Sequence, residues 1–320
     1  MSEATARGSR LAFIVGHRKS GSTWLLNLLS LHPDVRGVAE THVVELSWRE
    51  RDPRVRTAKL FTRTPWSEGG SRGLLRYRAV RLAAPVLAGI KPALRLRAEE
   101  RPATLLDLPL SDQRVLRREL EDIPDPAEYV RRFFLFLERR LRPSAYLIEK
   151  TPSNVHHADR IQELFPGAPM IAIHRDGRDV VVSDRFFTRD YGGERQEFDF
   201  TASVARWKRE MEALLSAAER YPLFVCSYER LLADGPAVAG ELFAHLGLAA
   251  DDRTLDDVLA RSSFRFHAGR DRGQEDRKRF YRKGIVGDWR NHFSTDEAGI
   301  FREVAGDMLV RLGYETDLGW

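Results

Sequence analysis

The apolar run Leu11-Ala-Phe-Ile-Val15 leads straight into Gly16-His-Arg-Lys19-Ser-Gly21-Ser-Thr23-Trp24, and Trp24-Leu-Leu-Asn-Leu-Leu-Ser30 follows. A short apolar run that ends in glycine reads as a buried strand. The leucine-rich stretch behind it reads as a helix over 23–31, which Pro33 ends. A strand that passes through a Gly/Ser loop into a helix turns backbone N–H groups and a helix N-terminus toward one point. That arrangement of donors suits a phosphate group.

The rest of the chain repeats the alternation. An extended piece over 34–39 leads to Glu40-Thr-His42. Strands are expected over 145–148, 169–173 and 223–226. Helices are expected over 154–165, 179–189, 200–220, 236–246, 255–260 and 295–312. Short apolar strands alternating with helices indicate an α/β fold with a central parallel sheet flanked by helices. Ligands of such sheets sit at the carboxyl ends of the strands. Residues 48–143 differ: they are Arg-rich, carry scattered prolines, and read as largely helical with no clear strand. At 320 residues, a single domain over 1–320 with 48–143 as a helical insertion is expected.

Gly16 and Gly21 fit the nucleotide-binding spacing G-x-x-x-x-G-K-[ST], but Ser22 stands where the lysine belongs. The lysine of this loop is Lys19, inside it. A P-loop kinase would also need an acidic residue for Mg²⁺ at a strand end, where this chain has His174-Arg175. The loop therefore reads as a phosphate holder of a different kind.

Composition narrows the classes further. The net charge of +5 fits an anionic ligand, a membrane surface or nucleic acid without choosing among them. No nucleic-acid motif accompanies it, and the basic residues are not interleaved with aromatics as a stacking surface would need. The single cysteine, Cys226, excludes an intrachain disulfide and favours a reducing compartment. The first residues lack the apolar core of a signal peptide, and no stretch approaches the ~20 apolar residues of a membrane span. A cytoplasmic protein is expected. The chain has seven lysines among 52 basic residues, and Lys19, Lys150 and Lys283 all fall in motifs. A compact ammonium is not equivalent to a guanidinium at a reacting oxygen.

Two further stretches carry chemistry. Arg175 sits at the exit of a strand, and Ser183 lies two turns into the following helix, so the two can share one phosphate. In Tyr281-Arg282-Lys283-Gly284-Ile-Val-Gly287-Asp288-Trp289, two adjacent cations precede a glycine that lets the backbone approach an anion closely. Taken together and in this order, the motifs resemble the sulfotransferases that use 3′-phosphoadenosine 5′-phosphosulfate (PAPS). Lys19-Ser20-Gly21-Ser22-Thr23-Trp24, with Arg18 before it, resembles their 5′-phosphosulfate loop, and Arg175 with Ser183 their 3′-phosphate pair. Tyr228-Glu229 and Ser262-Ser-Phe264 are similar to their adenine elements, and Arg282-Lys283-Gly284 with Gly287-Asp288-Trp289 to their R-K-G-x-x-G-D-W segment. The resemblance covers most of the chain outside 48–143. It implies a P-loop NTPase-like three-layer sandwich, PAPS as co-substrate with PAP as product, no metal, and 48–143 as an acceptor-side lid.

One departure matters. The cytosolic members carry a catalytic histidine after K-T, whereas this chain has Glu149-Lys150-Thr151-Pro152. In the carbohydrate-type branch a glutamate after the first helix is the base, and Glu40 is placed as that one is, with His42 as the competing base. The resemblance gives Lys19 the bridging oxygen, Lys150 the sulfuryl oxygens, and Glu40 the acceptor proton, its pKa expected to be raised by partial burial. Asp176 and Asp179 read as helix caps, Asp288 as structural, and His156-His157 as helix surface. A silent PAP-binding protein and a P-loop small-molecule kinase stay open as alternatives. Finally, 69–98 holds seven basic residues and no acidic one, among leucines and valines broken by Pro85 and Pro92. Such a stretch, 72–97 in particular, suits solvated helices, a grip on an anionic acceptor, or contact with a membrane surface and a lipid-linked acceptor.

Overall fold

The computed structural model describes residues 10–62, 96, 100–141, 144–187, 197–277 and 279–320. Its first strand, β1 (Arg10–Gly16), has four consecutive side chains without exposure, Ala12 to Val15. Side chains alternate along a strand, so Phe13 and Val15 enter one core and Ala12 and Ile14 another. A strand buried on both faces belongs in the middle of a sheet covered on both sides. β1 indeed lies at the centre.

Helix α1 (Ser22–Ser30) and β2 (Val35–Ala39) follow, then α2 (Val43–Arg49) and α3 (Pro53–Thr62). Beyond a 3-10 turn at Leu105–Asp107 come α4 (Leu110–Leu120), α5 (Pro126–Arg140) and β3 (Tyr146–Lys150). A second 3-10 turn, Pro152–His157, runs into α6 (Ala158–Leu164), followed by β4 (Met170–His174) and α7 (Gly177–Phe186). The long α8 (Phe200–Arg220), β5 (Leu223–Ser227), α9 (Tyr228–Ala233) and α10 (Gly235–His245) complete the alternation. The chain closes with α11 (Asp252–Ser262), α12 (Phe264–Ala268), a 3-10 turn at Asp288–Asn291 and α13 (Thr295–Arg311).

The five strands form one parallel sheet in the order β2-β3-β1-β4-β5. Its two faces carry separate cores. One joins Phe13, Val15, Leu147 and Met170 to Trp207 of α8, Phe301 of α13 and Phe133 of α5. The other joins Ala12, Ile14, Ile148 and Ile171 to Leu25 of α1 and Leu242 of α10. This is the expected layered α/β arrangement. The register aligns Ala39 with Lys150 and Ile14 with Lys150, and pairs His174 with Ser227, so the strands end near one edge.

Some elements differ from expectation. The single helix expected over 154–165 is split, because Asn154 donates to the buried Glu149 carboxylate at 3.0 Å and holds the first turn against β3. The helix expected over 179–189 starts earlier, at Gly177, where Asp176 caps the N–H of Arg178 at 2.9 Å. Residues 188–189 lie outside the described residues. The sequence pattern does not announce α2 or the short α12. In the region 48–143, Ala103 makes one parallel bridge with Val38 and so covers the outer edge of β2. The basic stretch 72–97 lies outside the described residues except for Leu96, which is buried. No helix among the described residues is long and apolar enough to cross a membrane.

Candidate active site

All five strands deliver a residue to the same edge. After β1 the loop turns at Lys19 (φ 66°) and Gly21 (φ 104°), and Gly21 is the N-cap of α1 without a side chain to cap the first turn. A Cβ on Gly21 would meet Tyr228 Cδ2 at 3.0 Å, so the loop packs directly on the aromatic ring after β5. Ser20 is fully buried, and its hydroxyl has no hydrogen-bond partner among the described residues. A buried, unpaired donor is costly unless a ligand completes it. Ser22 is buried as well, Thr23 half-buried.

Lys19 holds its ammonium over the ring of Phe187 at 3.2 Å and 4.9 Å from the ring of Phe280. Arg18 pairs with the buried Asp184 of α7, and its guanidinium lies 5.5 Å from the ring of Phe187. The loop's two cations thus meet on one ring.

The ends of β2 and β3 form the second part. Glu40 (φ 45°) and His42 (φ 54°) both hold left-handed backbone, which for residues other than glycine costs about 1–3 kcal/mol each. A buried carboxylate over-determines that shape. Glu149 accepts from the Thr41 N–H at 3.1 Å, the Thr41 hydroxyl at 2.9 Å, the Thr151 hydroxyl at 2.5 Å and Asn154 at 3.0 Å. Burial pushes the Glu149 pKa up, against those hydrogen bonds. The loop so fixed brings Glu40 Oε1 onto the ammonium of Lys150, itself only 2% exposed. The Glu40 N–H also donates to the Lys150 carbonyl at 2.6 Å.

The expected rise of the Glu40 pKa is not found. Burial does push it up and is the largest single influence. The charge and hydrogen bond of Lys150, with the nearby His42 and Lys19, outweigh burial together and hold the carboxyl below its ordinary range. Glu40, Lys150 and Lys19 are therefore within electrostatic reach of one another. His42 lies beside Glu45, with Nδ1 3.7 Å from Oε2.

The third part surrounds Tyr228. Its ring packs edge-on to Trp24, centroids 5.5 Å apart, and carries the Arg175 guanidinium at 4.5 Å. Arg175 is buried, donates to the Ile285 carbonyl at 2.7 Å, and leaves its Nε without a partner among the described residues. Ser183 is half-buried two turns along α7. The Trp24 indole N–H donates to the Ser262 hydroxyl at 3.3 Å. Gly284 (φ 69°) lets the backbone lie against Phe264, where a Cβ would come to 2.6 Å of the ring. Trp24, Tyr228, Phe264 and Gly284 thus frame a slot with flat walls.

Arg282 and Lys283 both pair with the buried Asp288, each at 2.6 Å, and those cations hold its pKa far below the ordinary range against burial. Asp179 accepts from the N–H groups of Gly287 at 2.8 Å and Trp289 at 2.9 Å. It therefore latches the 282–289 segment to α7 rather than capping the helix, which Asp176 does. Three functional candidates were not singled out from the sequence: Glu149, Asp179 in its latching role, and Arg272. The guanidinium of Arg272 lies over Trp24 at 5.0 Å and Phe264 at 5.6 Å. Only proximity to Lys150 pointed to Glu149, and nothing in an Arg-rich loop pointed to Arg272.

Chemically, the edge offers an anion-binding loop, cations on either side, a slot for a planar ring and a carboxylate beside two ammonium groups. Known proteins are similar to this chain in sequence and in fold. The chain is 28% identical over 170 residues to the 3-beta-hydroxysteroid sulfotransferase of Cavia porcellus, covering 47% of this chain and 58% of that protein. It thus spans less than two thirds of the length of the curated relatives it matches. The fold is similar to that of mouse sulfotransferase SULT7A1 complexed with PAP, with TM-score 0.52, 15% identity, and coverage of 95% of this chain and 85% of that one. It is also similar to sulfotransferase STF9 from Mycobacterium avium, with TM-score 0.53, 16% identity, and coverage of 97% and 78%. A family model described as the sulfotransferase family matches residues 12–252. With most of the sheet and the loops after β1 to β5 inside that match, the chain belongs to the sulfotransferase family.

Proposed function

We propose that the protein moves a sulfuryl group from PAPS to a hydroxyl of an acceptor by in-line displacement. The observation that carries this reading is the Lys150–Glu40 pair within reach of Lys19, at the mouth of a loop that continues into the aromatic slot. The residues present fit the nucleotide: the unpaired buried Ser20 hydroxyl and Arg175 Nε await acceptors, and Gly21 and Gly284 let the backbone pack on the rings of Tyr228 and Phe264.

Ser20, Gly21, Ser22 and Thr23 hold the 5′-phosphate, with Arg18 steadying the loop through Asp184. Trp24, Tyr228, Ser262 and Phe264 receive the adenine. Arg175, Ser183, Arg282, Lys283 and Gly284 receive the 3′-phosphate. The bound donor supplies an activated sulfur whose bond to the bridging oxygen breaks as the bond to the acceptor oxygen forms. Lys19 neutralises the charge that grows on that bridging oxygen, and Lys150 the sulfuryl oxygens. Glu40, kept ionised by Lys150, takes the acceptor proton. His42 is the reserve base.

The name of the guinea-pig relative supports a hydroxyl acceptor of small-molecule size. The acceptor enters from the side of α2 to α5, and the region 48–143 acts as a lid. The Arg-rich run 72–97 extends the choice to a carbohydrate or glycolipid, held at the cytoplasmic membrane surface. Deleting 72–97 abolishes liposome binding if that finer reading holds, and leaves it unchanged if the acceptor is free in solution. An amine acceptor fits less well, because an ionised amine must first lose its proton.

Calorimetric titration with PAP, with ATP in parallel and no metal added, tests the donor site. Micromolar PAP binding that Arg175→Ala removes is the expected result. ATP binding only with Mg²⁺ and none of PAP reopens the P-loop kinase. PAP binding without sulfuryl transfer to any acceptor leaves a silent PAP-binding protein.

A further inference from the structure

Among the described residues, three partners of Arg272, Trp24, Tyr228 and Phe264, belong to the slot assigned above to the nucleobase, and the fourth, Gly284, packs against that slot. Its Nη1 donates to the Tyr228 hydroxyl and to the Gly284 carbonyl, both at 2.9 Å. Its Cζ lies over the rings of Trp24 at 5.0 Å and Phe264 at 5.6 Å. Among the described residues it pairs with no carboxylate, although Asp271, Glu275 and Asp276 are close in sequence. A half-buried cation is thus held by ring faces and neutral oxygens alone.

A guanidinium is planar, delocalised and weakly hydrated, and it stacks on aromatic faces as a nucleobase does. Two flat groups cannot share the same faces of Trp24 and Phe264. We propose that Arg272 is a built-in plug of the base slot, and that a purine nucleotide binds only after this guanidinium has swung out. The inference rests on the donor-site reading above and adds to it the residue that sets how readily the donor enters. The plug is reversible, because both hydrogen bonds and both ring contacts come from one flexible side chain on the loop after α12.

The consequence is quantitative. When the competent state is a minor one, the apparent dissociation constant is the intrinsic one divided by its population. A stacked, half-buried guanidinium then weakens nucleotide binding by roughly three- to tenfold. The test is PAP affinity and association rate for the wild type, Arg272→Ala, Arg272→Lys and Arg175→Ala, each first checked for an unchanged thermal midpoint. Arg272→Ala is expected to bind PAP about three- to tenfold tighter, mainly through faster association, with Arg272→Lys between it and wild type. Unchanged affinity in Arg272→Ala overturns the plug, and weaker affinity overturns it too by making Arg272 a nucleotide contact. Failure of the underlying reading looks different: no PAP binding in any variant, or binding that Arg175→Ala leaves intact.

Discussion

Glu40 is pulled two ways. Burial favours its neutral form, whereas the Lys150 ammonium, His42 and Lys19 favour the carboxylate and prevail. A base that must be ionised benefits from that balance, since its proton-accepting form is then filled at neutral pH. Glu40→Gln keeps the shape but cannot take a proton, so sulfuryl transfer should fall about 10²–10⁴-fold with PAP affinity retained. Turnover and PAP titration on the same preparation check this; full activity would move the base to His42. Lys150→Gln removes the leading influence that lowers the Glu40 pKa and leaves burial unopposed by its closest partner. The folded pKa of Glu40 then rises, and the acidic limb of the kcat/KM profile should move to higher pH. The position of the limb reports on Glu40 whatever happens to the overall rate. A limb that stays in place in Lys150→Gln would show that another group titrates there.

The elements that hold the site meet through a few buried carboxylates. Asp179 joins α7 to the 287–289 turn through two backbone N–H groups and pairs with Arg175 at 3.3 Å. Removing such an acceptor leaves two half-buried donors unpaired, at up to about 1–3 kcal/mol each. Asp179→Ala should therefore speed amide exchange at Gly287 and Trp289 and weaken PAP binding at least tenfold. Slow exchange retained at both amides would mean that Asp288 and its cations hold the segment alone. Legibility follows the same division. The strands and the loop after β1 are readable because their signal is contiguous: 11–15 is apolar on both faces, and Lys19 to Trp24 act as one run. Arg175 and Tyr228 can be singled out as residues that follow strands, and Arg282 as part of a basic motif before Gly284. Glu149 is not, because what gives it meaning is Thr41, Thr151 and Asn154, which converge on it only when β2 and β3 pair. The direction of the Glu40 shift fails for the same reason: partial burial is foreseeable from a chain position, the ammonium beside it is not. α12 escapes because five residues carry too little periodicity.

Across the whole molecule, the long helix α8 and the loop after β1 meet over a pair of groups that the proposed chemistry does not use. His17 is 1% exposed, and its Nε2 lies 3.6 Å from Oε2 of the buried Glu210. Arg18, Asp184, Arg206 and Arg209 complete the charged surroundings. Burial lowers the His17 pKa from 6.5 to about 4 and raises that of Glu210 from 4.5 to about 7. At pH 5.5 the pair is thus a neutral imidazole facing a carboxylic acid, and no ion pair. The two groups act on stability with opposite signs. Between about pH 4 and 6.5 the folded state holds fewer protons at His17 than the unfolded chain, so this term raises stability with pH. Between about pH 4.5 and 7 the folded state holds more protons at Glu210, so that term lowers stability as pH rises. They nearly cancel until about pH 6.5; above it only the Glu210 loss continues. Glu210→Gln keeps the shape of the acid and abolishes its ionisation. Relative to wild type, the variant should gain nothing near pH 4.5 and on the order of 2–3 kcal/mol by pH 8, measured by denaturant unfolding at several pH values. Over pH 4.5–6.5 the variant, freed of the opposing Glu210 term, should climb relative to wild type. A difference between the two proteins that does not change with pH would mean that Glu210 titrates alike in the folded and unfolded chains, with Arg206 and Arg18 offsetting its burial across the contact between α8 and the loop.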